Sequence, residues 1–337
     1  MKILIGTIIV LCVIAWCLYQ FLPGIIVGII QKGLYKDGKP INSYEPFGKP
    51  DRRVKENGEL YVTEIKYGEK YPNSYLDITY QTEDTSVDRP TVIYFHGGGF
   101  FGGDKSWGDP MAIDDDANCL FGEIVGNGYN FVNVNYALVP EYRFPVPLIQ
   151  MNEAINFLVE NQEQYGLNMD KVVIFGQSAG AILTAQYGAL LSNEAYRKEM
   201  NIYPNISTKQ IKALIIDDAP LRPEKYNFGL WVLMANYMGN SNIRSKQARQ
   251  ANAYLYIKET TPPCFMTAGN TDGFPWDMGA LSEKLTNMGV ENEYYFRDRS
   301  YGDLPHGYLN MVKENAYARE CFDHILEFMK HHCMEEG

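Results

Sequence analysis

The sequence has no excess of basic charge. Its 30 lysines and arginines are outnumbered by 41 aspartates and glutamates, giving a formal charge of −11. Without a cationic surface to neutralise phosphates, nucleic acid is excluded as an expected partner. A cysteine pattern is missing too. Cys12 and Cys17 fall in the apolar N-terminus, while Cys119, Cys264, Cys321 and Cys333 are scattered. That distribution gives neither a disulfide framework nor a Cys/His zinc spacing. No repeat or low-complexity tract occurs, and the run Asp114-Asp115-Asp116 lacks the alternate spacing of a calcium loop. Neither a metal nor a cofactor is expected. Histidine is scarce, at five in 337 residues, so chemistry that needs an imidazole has few to choose from.

Apolar residues are plentiful, at 46%, and they are unevenly placed. Ile3 to Leu22 reads ILIGTIIVLCVIAWCLYQFL, without charge and interrupted only by Gly6, Thr7 and Gln20. As a helix it would span about 30 Å, the thickness of the hydrocarbon layer. A cleaved signal peptide is the alternative, but the apolar core is long for one and no small-x-small cleavage site follows. Residues 1–30 are therefore expected to form a single-pass membrane anchor, with GIIVGII (24–30) at the interface. Lys32, Lys36 and Lys39 on the domain side lean weakly towards a cytoplasmic domain; the side of the membrane stays open. Residues 31–58 read as a linker with room for an N-terminal part of a cap, and 59–337 as the globular domain. Asn205-Ile206-Ser207 fits a glycosylation sequon, relevant only in a glycosylating lumen.

From residue 60 the pattern becomes regular. LYVTEIKY (60–67) and SYLDITYQ (74–81) alternate around a Pro-Asn turn and predict an antiparallel hairpin. TVIYF (91–95), NFVNVNY (130–136), VVIF (172–175), ALII (213–216), CFMTA (264–268) and NEYYF (292–296) predict further strands. Helical patterns cover Pro147–Tyr165, Ala179–Leu191, Trp276–Met288 and Tyr308–His332. Apolar strands alternating with helices imply an α/β fold, its mainly parallel sheet covered on both faces. Between Leu221 and Lys258 the alternation fails, and helical spacing at Trp231, Met234 and Met238 suggests an inserted helical cap. An ordinary long crossover is the other reading.

Two glycine-rich stretches carry the chemistry. Gly176-Gln177-Ser178-Ala179-Gly180 follows the apolar run VVIF and opens a small-residue helix. This is the G-x-S-x-G nucleophile elbow, in which flanking glycines let the chain turn tightly enough to expose a serine hydroxyl. Upstream, His96-Gly97-Gly98-Gly99-Phe100 closes the strand TVIYF. Such a loop brings main-chain N–H groups close to a developing oxyanion. A serine nucleophile needs a base. His96 belongs to the glycine loop, and His324, His331 and His332 fall in the last helix, which leaves His306 in GDLPHGYL. The base needs a carboxylate, sought between Ser178 and His306. Asp272, just past the strand CFMTA, is favoured. Asp277 is a rival that opens the next helix, Asp298 and Asp303 are close to the histidine in sequence, and Asp217 and Asp218 are placed to line the pocket.

Together HGGGF, NYALVPEYRFP (135–145), GQSAG, the Asp272 loop and LPHGY resemble, in order and spacing, the hormone-sensitive-lipase-like esterases of the α/β-hydrolase fold. The resemblance covers residues 60 to 330. It implies a carboxylic ester hydrolase working through an acyl-enzyme on small or medium apolar esters, beneath a helical cap. It further implies that the amides of Gly98, Gly99 and Ala179 form the oxyanion hole. An amidase or arylformamidase with the same residues, and a non-catalytic binding protein on the same fold, are the rival readings. Two departures stand out: Gln177 replaces the family's usual acidic residue, and the acid loop reads Asp-Gly-Phe-Pro instead of Asp-Pro-Leu.

Overall fold

A computed structural model describes residues 2–34, 42, 50–106 and 118–334. The Asp114–Asp116 run and half of the expected linker lie outside the described residues. The chain begins with α1 (Lys2–Leu34), followed by β1 (Arg52–Val54), β2 (Leu60–Lys66), β3 (Tyr75–Tyr80), β4 (Pro90–Phe95), α2 (Asn118–Gly126) and β5 (Asn130–Val134). Next come α3 (Val146–Glu160), α4 (Gln162–Tyr165), β6 (Asn168–Gln177), α5 (Ala179–Ser192), α6 (Glu194–Met200) and β7 (Ile211–Asp217). Helices α7 (Phe228–Met238) and α8 (Lys246–Ala251) precede β8 (Cys264–Thr267), α9 (Pro275–Asn287), β9 (Asn292–Tyr295) and α10 (Ala316–Met334).

The strands form one nine-stranded sheet in the order β1-β2-β3-β5-β4-β6-β7-β8-β9. The β1–β2, β2–β3 and β3–β5 pairs are antiparallel, and from β5 across to β9 every pair is parallel. This is the mainly parallel α/β architecture that the alternating pattern implied, and it fits the α/β-hydrolase fold that the resemblance implied. Alternation along each strand sorts the core onto two faces. Ile93, Phe95, Ile174, Leu214 and Ile216 point to the face covered by α3, α5 and α9. Val92, Tyr94, Val173, Phe175 and Ile215 point to the face covered by α2 and α10.

Two stretches depart from expectation. The apolar N-terminus does not end near Leu22, because α1 runs on through Pro23 and GIIVGII to Leu34 as one helix. Its second half buries a stripe of Pro23, Val27 and Gln31, four residues apart and therefore on one side, against the domain. The last helix starts eight residues late. Tyr308–Met311 form a separate 3-10 turn, and the Asn315 carboxamide accepts the N–H groups of Tyr317 and Ala318, a side-chain cap that restarts the helix at Ala316.

Candidate active site

The parallel register of β6 and β7 builds the site. Gln177 lies opposite Asp217, so the next residues, Ser178 and Asp218, leave the carboxyl edge of the sheet side by side. Both bend over in the left-handed region, at φ 52° and 63°. Main-chain bonds fix the two turns: Ser178 N–H donates to Asp217 O at 2.8 Å and Asp218 N–H to Thr267 O at 3.0 Å. The serine turn depends on its glycines. A Cβ on Gly176 would lie 2.1 Å from Gly180 O, and one on Gly180 1.9 Å from Phe95 O. The same closeness presses the start of the His96–Gly99 loop against the first turn of α5.

His306 arrives from the loop after β9. Its Nε2 lies 2.8 Å from Ser178 Oγ, and its Nδ1 lies 2.8 Å from Asp218 Oδ2. With Nδ1–H donating to the carboxylate, Nε2 is left to accept the serine proton. Asp218 is almost wholly buried and fully engaged. Its Oδ2 also accepts the N–H of Gly269 at 3.0 Å, and Oδ1 accepts the N–H of Phe274 at 2.6 Å. The carboxylate sits inside the 269–274 loop, where a Cβ on Gly273 would come within 2.5 Å of Oδ2.

The expected carboxylate, Asp272, is not on the ring. It lies in the anticipated loop, but its Oδ1 accepts the main-chain N–H of His306 at 2.7 Å and the hydroxyl of Thr271 at 2.9 Å. The 269–274 loop runs beside the histidine loop, with Asn270 N–H donating to Leu304 O at 2.7 Å, so its aspartate meets backbone. Asp218, one strand nearer the serine, reaches the imidazole instead. Partial burial disfavours charge on Asp272, yet the His306 N–H and the Thr271 hydroxyl outweigh it and hold the carboxyl below the usual range. The rival Asp277 pairs with Arg222 at 2.6 Å and accepts the N–H of Leu221, tying the entry of the 221–258 segment to α9. Burial pushes its carboxyl up despite the guanidinium.

Gly98 and Gly99 turn at φ 94° and 59°, a conformation open to glycine, and Ala179 is the first residue of α5, where N–H groups lack intrahelical partners. Gln177, the departure in the elbow, donates to Asp217 at 2.9 Å and Asn310 at 3.0 Å and accepts from Tyr94. Two of these three contacts are donated by the carboxamide, which an ionised acidic residue at this position could not supply. The 135–145 stretch is a brace. Tyr136 stacks on the His96 ring at 4.2 Å and donates to His96 O at 2.7 Å, and Val139 N–H donates to Phe100 O. Sequence reasoning missed Gln31, whose carboxamide donates to Phe101 O at 3.0 Å and Val139 O at 2.6 Å, tying α1 to the glycine loop. A carboxamide closing a long apolar run was the available signal.

His96 itself is fully buried, and desolvation lowers its pKa to about 4. The folded protein keeps this ring neutral, while the unfolded chain takes a proton near pH 6.5. Its stabilising contribution is therefore complete above pH 6.5 and lost as pH falls towards 4, amounting to about 3 kcal/mol. Thermal unfolding in detergent should show the wild type losing more stability than His96→Gln across that window. Parallel curves would contradict the assignment.

Comparison with known proteins identifies the family and the fold. The BD-FAE family model matches residues 76–275, more than half of the chain. Esterase LipI of Mycobacterium tuberculosis is 25% identical over 230 residues, covering 66% of this chain and 67% of LipI. The acetyl esterase of Salmonella paratyphi B is 29% identical over 258 residues, covering 73% of this chain and 74% of that protein. Among solved structures, Esterase B of Lactobacillus Rhamnosis superposes with a TM-score of 0.69 at 21% identity, covering 83% of this chain and 87% of the other. The chain belongs to the BD-FAE family and is a carboxylesterase of the α/β-hydrolase fold, akin to the hormone-sensitive-lipase-like esterases.

Proposed function

We propose that the protein hydrolyses apolar carboxylic esters through Ser178, His306 and Asp218, with the amides of Gly98, Gly99 and Ala179 as the oxyanion hole. The observation that carries this reading is the unbroken run from hydroxyl to imidazole to buried carboxylate, each contact 2.8 Å, at the elbow. Ser178 Oγ attacks the ester carbonyl as Nε2 takes its proton, and Asp218 stabilises the imidazolium. The tetrahedral oxyanion faces the glycine-loop and Ala179 N–H groups, each such donor contributing about 3 kcal/mol to the transition state. The imidazolium then gives its proton to the leaving alkoxide, and a water activated by the neutral ring releases the acid. Asp272 holds the main chain of His306, which makes it a positioning residue.

Small or medium apolar acyl groups suit the roof. Helix α7 lies over the glycine loop, with Leu233 Cδ1 3.6 Å from where a Gly99 Cβ would be and Tyr237 stacked on Phe100 at 3.6 Å. The acetyl esterase relative favours the short end of that range. The reading includes α1 as a membrane anchor: it is a long apolar helix near the N-terminus. Removing it as a signal segment beyond residue 31 would also remove both Gln31 bonds to the active-site loops.

Full-length protein in detergent should turn over p-nitrophenyl acetate and butyrate far faster than the matching anilides. Turnover of the anilides at the ester rate would move the assignment to an amidase, and turnover of neither would refute hydrolysis.

A further inference from the structure

Helix α1 has two halves in different surroundings. From Gly6 to Trp16 every residue is exposed, including Ile9 at 57%, Leu11 at 59% and Trp16 at 60%. An uninterrupted apolar column of that kind marks an interaction surface, and its length and lack of charge after Lys2 suit lipid. The second half is bound to the 221–258 segment. Tyr19 donates its hydroxyl to Ser241 O at 2.6 Å and stacks on Trp231 at 5.5 Å, and an Asn236 side-chain oxygen approaches Gly24. The helix is continuous between the halves, so the apolar column fixes where α7 sits.

The helix rise locates the contact. Tyr19 precedes Leu22, the end of the twenty-residue apolar run, by about 5 Å along the axis. A bilayer that takes in the run must then bring Trp231 to its interfacial layer, where tyrosine and tryptophan are favoured. Phe228, the first residue of α7, is 64% exposed with its ring 5.8 Å from Trp231. From Phe228 the helix rises about 8 Å to Leu233, which roofs Gly99.

We propose that the rim made by Tyr19, Trp231 and Phe228 lies in the interfacial layer of a lipid bilayer. The ester then reaches Ser178 from that layer, and the substrate class is an ester whose apolar body is dissolved in the membrane. This inference rests on the reading of α1 as an anchor. Helix α1 thus does two things: it holds the protein at the bilayer and, through Gln31, braces the loop that carries Gly98 and Gly99.

The test uses full-length wild type, Phe228→Asp and Phe228→Leu with phosphatidylcholine vesicles. Flotation reports the anchor; hydrolysis of the acetate ester of a long-chain alcohol embedded in the vesicles, beside p-nitrophenyl acetate in water, reports the rim. All three proteins should float. Phe228→Asp should raise KM for the embedded ester about tenfold, with kcat and p-nitrophenyl acetate hydrolysis unchanged, and Phe228→Leu should restore KM. If the proteins float and Phe228→Asp handles the embedded ester like wild type, the rim proposal is overturned while the anchor stands. Equal loss on both substrates also overturns it, since the residue would then act inside the domain. Wild type that does not float overturns the anchor and the inference with it.

Discussion

Ser178→Ala is expected to lower kcat for p-nitrophenyl butyrate by on the order of 10⁶-fold, the scale on which nucleophile removal acts when the residues work as a unit. What remains is the contribution of the oxyanion N–H groups and binding. The fold should survive. Serine already sits at φ 52°, so alanine inherits the same strain, and the hydroxyl loses one bond, to His306 Nε2. Such a bond contributes about 1 kcal/mol, a change of about 3 °C in Tm. Calorimetry beside the assay separates the outcomes: residual turnover above 1% of wild type would rule Ser178 out as nucleophile, and a collapsed Tm would make the loss structural.

The second large effect divides two aspartates. Asp218→Asn keeps an oxygen for the Phe274 N–H but puts a carboxamide nitrogen where Oδ2 accepts from Nδ1 and from the Gly269 N–H. The ring is then driven to the tautomer with its proton on Nε2, where it cannot take the serine proton, and kcat should fall by about 10⁴-fold. Asp272→Asn should cost less than tenfold by the same comparison, because a carboxamide oxygen still accepts the main-chain N–H of His306. Hydrogen bonds from the His306 N–H and the Thr271 hydroxyl favour the charged form of Asp272 over the opposing effect of burial and hold its carboxyl below the ordinary range. Its contribution is present above about pH 4 and lost as pH falls through the folded value, so the Asn variant should lose that acid-side slope in Tm. Matched kcat losses in the two variants would contradict the geometry.

Much of this site was legible because it rests on steric demands that sequence records directly. Gly176 and Gly180 are forced by contacts near 2 Å, and no other residue fits such spaces. The parallel strands announced themselves as apolar runs since both faces are covered. His306 emerged because so few histidines compete. The carboxylate did not emerge, for a physical reason. Two loops at the carboxyl edge each offer an aspartate, and the choice depends on the left-handed turn at Asp218 and on Gly273 leaving room for its oxygen. Neither has a periodic signature, although a pair of aspartates ending the strand beside the elbow was a usable hint. The length of α1 was hidden because GIIVGII, too short to span a membrane again, read as a separate interfacial piece, whereas one helix runs through Pro23 to Leu34. The role of Gln31 depends on contacts 70 and 108 residues away, beyond the reach of any local pattern.

The rate of inactivation by a fluorophosphonate probe, followed by mapping of the labelled peptide, addresses the relay directly, because the probe reacts only with an activated serine. The label is expected on Ser178, with Asp272→Asn reacting within tenfold of wild type and Asp218→Asn slowed by more than about 100-fold. A label on another residue, or Asp218→Asn reacting as fast as wild type while Asp272→Asn is slowed, would contradict the account.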